Sequence, residues 1–214
     1  MNEHVNLEVD QEEAANNGSL STISVSIIVY MVILLMGFTL LPIESNAQSF
    51  GMVVGLVMAT AVLVIRFPRV LSFHRPSVAN MTFAIIAGSC LHIIAWSAPI
   101  NIKSLEDWTS YDPLNKIVFG VFLCLLFPFA EEIYFRGLLF PIASLRLGKL
   151  VGATFSIMLF TLYHMTSDNC TPYVLIGGIS LWLVNRSGTI IPSILMHITW
   201  NSIWLVRAAA TSHI

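Results

Sequence analysis

Seven apolar stretches organise the chain: Thr22 to Leu41, Phe50 to Ile65, Val78 to Pro99, Ile117 to Phe140, Val151 to Met165, Tyr173 to Val184 and Ile190 to Ala210. Several approach the ~20 residues that a hydrocarbon core requires of a helix, and the shorter ones fit inside a bundle. With 56% apolar and only 10% charged residues, and a mean hydropathy of +0.80, the 214-residue chain lies far from the balance of a water-soluble domain. The expected fold is all-α, a polytopic transmembrane bundle of six to eight helices. Residues 21–214 form one expected domain, with no internal repeat.

Residues 1–20 carry Glu3, Glu8, Asp10, Glu12 and Glu13, no Lys or Arg, and then the turn-rich "NNGS". Such a tail is expected to be disordered. A secretory signal needs a basic leading region, so the segment from Thr22 reads as a retained helix. Arg66, Arg69 and Arg75 follow the second stretch, and Arg146, Lys149 and Arg186 mark later loops. By the positive-inside rule these loops, and with them the N-terminus, face the cytoplasm, while Asn101 to Lys116 lies outside. A net charge of −2 without a basic run leaves no footprint for nucleic acid. Cys90, Cys124 and Cys170 follow no CxxC or metal-binding spacing and read as packing residues.

The stretch "LCLLFPFAEEIYFRGLLF", Leu123 to Phe140, is the anomaly. A charged side chain near mid-membrane costs several kcal/mol and persists mainly where it faces a bundle interior with a partner. Glu132 and Arg136 are four residues apart with the acid on the N-terminal side, the favoured order for a helical ion pair. Glu131 points about 100° away and is left available for chemistry. The alternative is that both carboxylates serve only to pair with Arg136.

Other polar groups reach comparable depth. The point midway between Glu131 and His164 falls between Leu147 and Gly148, inside "RLGK", a plausible turn between helices. A hairpin folded there sets both residues roughly 24 Å from the turn along straight helices, less if Pro141 kinks the first. In "HITWN", His197 and Asn201 share a face of an apolar helix. Counted from the "NRSG" turn, His197 is only about 14 Å deep, a tension that tilt and the kink at Pro141 would relieve. A lone histidine is usually a satisfied core residue, but three polar clusters on three helices point to a site.

A carboxylate withdrawn from water is a stronger base and can activate a water that a neutral imidazole also holds. A second imidazole and a carboxamide on one helix face can stabilise the oxyanion of a tetrahedral intermediate. Together they describe peptide hydrolysis by an activated water.

The same residues carry a family resemblance. "EEIYFR" matches EExxxR, "FTLYH" matches FxxxH and "HITWN" matches HxxxN, in the order and approximate spacing of the CAAX prenyl endopeptidase family, also called CPBP or Abi proteins. The connecting "NRSGTIIPSILMH" is also similar to the family's run into its last motif. The resemblance covers about Val118 to Ile203, within an expected catalytic core of about 117–205; the first hundred residues resemble the family only in being helical and apolar. It implies an intramembrane glutamate protease in which Glu131 and His164 activate water and His197 with Asn201 forms the oxyanion site. Glu132 and Arg136 would hold the site together, and Phe160 would pack beside it.

Other intramembrane protease classes lack their residues here, since HExxH, a GxSG serine and a GxGD aspartate are all missing. No cofactor is expected. Zinc is the minority alternative, because a glutamate and two histidines are competent ligands, although no two share a short metal-binding motif. The expected partners are the lipid bilayer and a membrane-associated protein or peptide substrate. Length and compactness suggest a bacterial member in the cytoplasmic membrane, and no residue selects a prenyl group. Two rivals remain: a non-catalytic membrane scaffold or bacteriocin-immunity protein of the same fold, and a proton-coupled transporter using Glu131 and His164 as a relay.

Overall fold

The computed structural model describes residues 71–94, 112–164 and 170–211, together with Leu56, Thr60, Ala61 and Ile65. Five helices lie among them: α1 (Val78–Ile94), α2 (Pro113–Leu147), α3 (Lys149–Tyr163), α4 (Thr171–Ser187) and α5 (Ile191–Thr211). The all-α expectation holds for these residues. Of the Phe50 to Ile65 span, four residues are described, all helical. The acidic tail, the Thr22 to Leu41 span, Arg66 and Arg69 lie outside the described residues, so the count of six to eight helices and the cytoplasmic N-terminus rest on the sequence alone.

The apolar runs mark the helices well, with α2 longer than its run at both ends. α2 starts at Pro113, where Asp112 accepts a hydrogen bond from the Asn115 amide at 2.9 Å and the proline supplies a preset φ at the first turn. Lys116, expected in an outside loop, therefore belongs to the first turn of a helix. α2 runs for 35 residues, long and apolar enough to cross a membrane. α1 and α3 are shorter apolar helices.

α2 is not a plain α-helix. It widens into π-helical turns over Phe122–Leu126 and Ile133–Leu139, and each wide turn ends two residues before a proline, in "LLFP" at Leu125 to Pro128 and again at Leu138 to Pro141. A proline has no amide hydrogen and its ring crowds the carbonyl four residues back, so an α-helical register is penalised just there. Widening by one residue relieves the crowding, and the Phe127 amide accordingly donates to the Phe122 carbonyl, five residues back.

The described residues divide into two compact units. The first contains Ile133 to Ser156, the corner of a helical hairpin. α2 ends at Leu147, and Gly148 turns the chain at φ +84°, which a residue with a side chain rarely adopts. The expected turn in "RLGK" is thus found where the spacing put it. Within this corner Ser156 Oγ donates to the Phe135 carbonyl on the second wide turn at 2.9 Å. Arg136 belongs here too, only 1% exposed, with its guanidinium carbon 5.7 Å from the centre of the Phe135 ring.

The second unit holds α1, Pro113 to Glu132 of α2, Ile157 to Tyr163 of α3, and α4 and α5. α5 is its central element and packs on α1, on α2 and on α4. Gly88 makes the α1 contact possible: a Cβ there would lie 2.5 Å from the Met196 carbonyl oxygen. Small residues at such crossings let backbones approach closely, the usual basis of helix association where lipid removes the hydrophobic driving force. Outward, Ile85, Ile86, Ile93, Ile94, Leu114 and Ile117 are exposed, while Glu131, Glu132, Ser180 and His197 are buried. That distribution inverts the pattern of a water-soluble protein.

Candidate active site

Four helices of the second unit bring their polar groups to one place. Glu131 and Glu132 end the short α-helical stretch Phe127–Glu132, directly before the second wide turn of α2. His164 follows the last residue of α3, and His197 lies in α5. Ser180 comes from α4.

Glu131 is 5% exposed, and its Oε2 lies 3.8 Å from His164 Nε2 and 3.7 Å from His197 Nε2. Both separations exceed a direct hydrogen bond, and a water oxygen within bonding distance of the carboxylate and of either imidazole closes a triangle across each. The depth difference counted from the two turns does not keep these groups apart. Counting rise along straight α-helices overlooks the wide turns of α2, which shift both register and rise.

The remaining ring nitrogens are each held. His164 Nδ1 lies 2.9 Å from the Phe160 carbonyl oxygen, one turn back on its own helix. A carbonyl only accepts, so Nδ1 carries the hydrogen and the lone pair of the neutral ring sits on Nε2. His197 Nδ1 lies 2.9 Å from Glu132 Oε1, which is also approached at 3.4 Å by the Ser180 hydroxyl. With Glu132 ionised, this bond likewise fixes Nδ1–H and leaves the Nε2 lone pair directed at Glu131. The two imidazoles therefore present the same nitrogen, Nε2, to one carboxylate oxygen.

Aromatic rings frame the pair. Phe160, fully buried, has its centre 4.5 Å from the His164 ring and 5.9 Å from the His197 ring, so it packs between the two. Tyr173 stacks on His164 at 4.4 Å with planes 17° from parallel, and Tyr163 meets the same imidazole edge-on at 5.0 Å. The stack restricts rotation of the ring about χ2 and so fixes where Nε2 points.

Of the residues singled out in the sequence, Glu131, Glu132, Phe160, His164 and His197 come together. Asn201 lies one turn beyond His197, and its side-chain amide donates to the Leu123 carbonyl at 2.8 Å. Arg136 belongs to the hairpin corner described above. For Glu132 the structure supplies partners that sequence spacing did not suggest, His197 and Ser180. Ser180 and the tyrosines escaped the sequence reading: a serine in "GGISLW" is an ordinary small residue of a packed helix, and Tyr173 opens its helix beside Pro172. Among the described residues no group of three His, Cys, Asp or Glu is arranged to hold a metal ion.

No curated protein and no solved structure matches the chain. A family comparison does: residues 113–203, from the first turn of α2 into α5, match the Rce1-like type II CAAX prenyl endopeptidases, the family that the three motifs resemble.

Proposed function

We propose that this chain is an intramembrane endopeptidase that cleaves membrane-associated protein or peptide substrates with a water activated by Glu131 and the two histidines. The observation that carries the reading is the placement of one Glu131 oxygen 3.7 and 3.8 Å from two imidazole nitrogens whose lone pairs face it. In water such a cluster would be solvated and its bases levelled; in a bundle wrapped by apolar side chains it keeps its basicity for one bound molecule.

Glu131 takes a proton from the water as the oxygen attacks the scissile carbonyl carbon, forming the new C–O bond and an oxyanion. In their resting neutral forms both Nε2 atoms accept hydrogen bonds. An imidazole thus stabilises the oxyanion only after it carries a proton, and Glu131, facing both, is the group that relays one to it. The same proton then passes to the leaving nitrogen as the C–N bond breaks. Glu132 keeps the His197 ring in its tautomer throughout, as a buried carboxylate does for a catalytic imidazole elsewhere. No step is routed through a metal.

The test is purification in detergent followed by incubation with a library of membrane peptides, comparing the wild type with Glu131→Gln. We expect new peptide termini with the wild type, a loss of about a hundred- to ten-thousandfold with the variant, an unchanged melting temperature, and activity retained in chelator. Cleavage that survives Glu131→Gln overturns the assignment of the base. Cleavage lost in chelator and restored by zinc replaces it with a metal-dependent hydrolase. A chain that cleaves nothing, yet supports the same phenotype in wild-type and variant cells, acts by binding.

A further inference from the structure

We infer that Asn201 stands in for the amide hydrogen that Pro128 lacks, and that it is a positioning residue for Glu131. Over Phe122–Leu126 the backbone bonds span five residues, and the last of them runs from the Phe127 amide to the Phe122 carbonyl. Continued by one residue, the register assigns the Leu123 carbonyl to the amide of residue 128. That residue is proline, buried in the helix, so the donor does not exist. A main-chain carbonyl left without a donor in an apolar bundle costs free energy comparable to a lost hydrogen bond. Asn201 Nδ2 reaches that oxygen at 2.8 Å from the middle of α5.

The bond does more than satisfy an acceptor. It ties α5 to the point where α2 changes from wide to α-helical register, and Glu131 lies only three residues after Pro128. His197 sits one turn before Asn201 on the same helix face. One amide thereby sets the axial offset between the helix that carries the carboxylate and the helix that carries one imidazole. The bond uses one hydrogen of the amide and so adds to the oxyanion role that the family resemblance implies for this position, and the inference rests on the proposed hydrolysis only for its activity readout.

The decisive experiment restores the missing donor. Asn201→Ala and Asn201→Asp both remove the N–H, and each is expected to lower the melting temperature in detergent by roughly 2–4 °C. Each should also lower kcat by about tenfold or more with KM little changed, because a small displacement of the base is felt in the chemical step. Pro128→Ala supplies a backbone N–H at the right place. Combined with Asn201→Ala it should return most of the lost melting temperature, a coupling that is read as a double-mutant cycle. Full thermal stability in Asn201→Ala, or a lost melting temperature that Pro128→Ala does not restore, overturns the inference. Should the wild type cleave no peptide at all, the melting-temperature cycle still decides: coupling supports the bond to Leu123, and strict additivity refutes it.

Discussion

Glu132 shows how much one buried side chain can hold. Fully enclosed, it accepts from His197 Nδ1 at 2.9 Å and from Ser180 Oγ at 3.4 Å, and so connects α2 to α5 and α4 through a single oxygen. Removing one partner of a buried charge-assisted pair leaves the other without its counterpart, at a cost of about 3–5 kcal/mol. Glu132→Ala is therefore expected to lose most of its folded yield in detergent, whereas Glu132→Gln, which keeps an acceptor for Nδ1–H, should remain folded and lose activity mainly through kcat. Thermal melts paired with activity on the folded fraction separate the two effects. Equal melting of both variants would show that the His197 bond contributes little to the fold. The contrast with Glu131 is one of surroundings: one Glu132 oxygen faces N–H and O–H donors, while one Glu131 oxygen faces two imidazole Nε2 atoms.

At the level of the helix, the polar residues were legible, and so was the approach of Glu131 to His164. Glu131, His164 and His197 are conspicuous because a bundle wrapped in lipid tolerates ionisable groups only where they are used, and periodicity brings the first two to one depth through the turn at Gly148. The bounds of α3, α4 and α5 also fall within a few residues of the apolar runs. What periodicity could not supply is the register inside α2. A pattern argument assumes 3.6 residues per turn, and the two "LLFP" segments break that assumption by favouring wide turns, so the bonds of Glu132 to His197 and Ser180 and of Asn201 to the Leu123 carbonyl have no signature in spacing. Helix crossings are equally silent in sequence, because Gly88 has no signal of its own until its Cβ position is seen against Met196. Gly88→Val should push α1 from α5, lower stability by about 1–3 kcal/mol and disturb His197, the residue after Met196. A melt in detergent and a cleavage assay measure both; a variant as stable and active as the wild type would mean that this crossing adapts freely.

At the scale of the molecule, the apolar outward faces of the described helices around a buried acid and two imidazoles restrict what the proposed hydrolysis can cut. α2 presents Leu114, Ile117, Val118, Leu125 and Leu126 outward, and α1 presents Ile85, Ile86, Ile93 and Ile94, so a substrate approaching across these faces must be at home in lipid. A water-soluble peptide meets a different barrier: its unpaired backbone amides lose their water before they find a partner, at several kcal/mol for each group left unsatisfied. The same scissile sequence offered in two forms tests this directly, once as a free soluble peptide and once joined to an apolar segment of about 20 residues that inserts in the bilayer. In proteoliposomes the anchored form should be cleaved at least about a hundredfold faster at equal total concentration, because anchoring both concentrates the peptide at the membrane and supplies the desolvation in advance. Detergent micelles that dilute the anchored substrate among empty micelles should reduce its rate while leaving the soluble form unchanged. Equal rates for the two forms, with Glu131→Gln inactive on both, would place the site in open contact with water and assign the apolar faces to holding the protein in the bilayer alone.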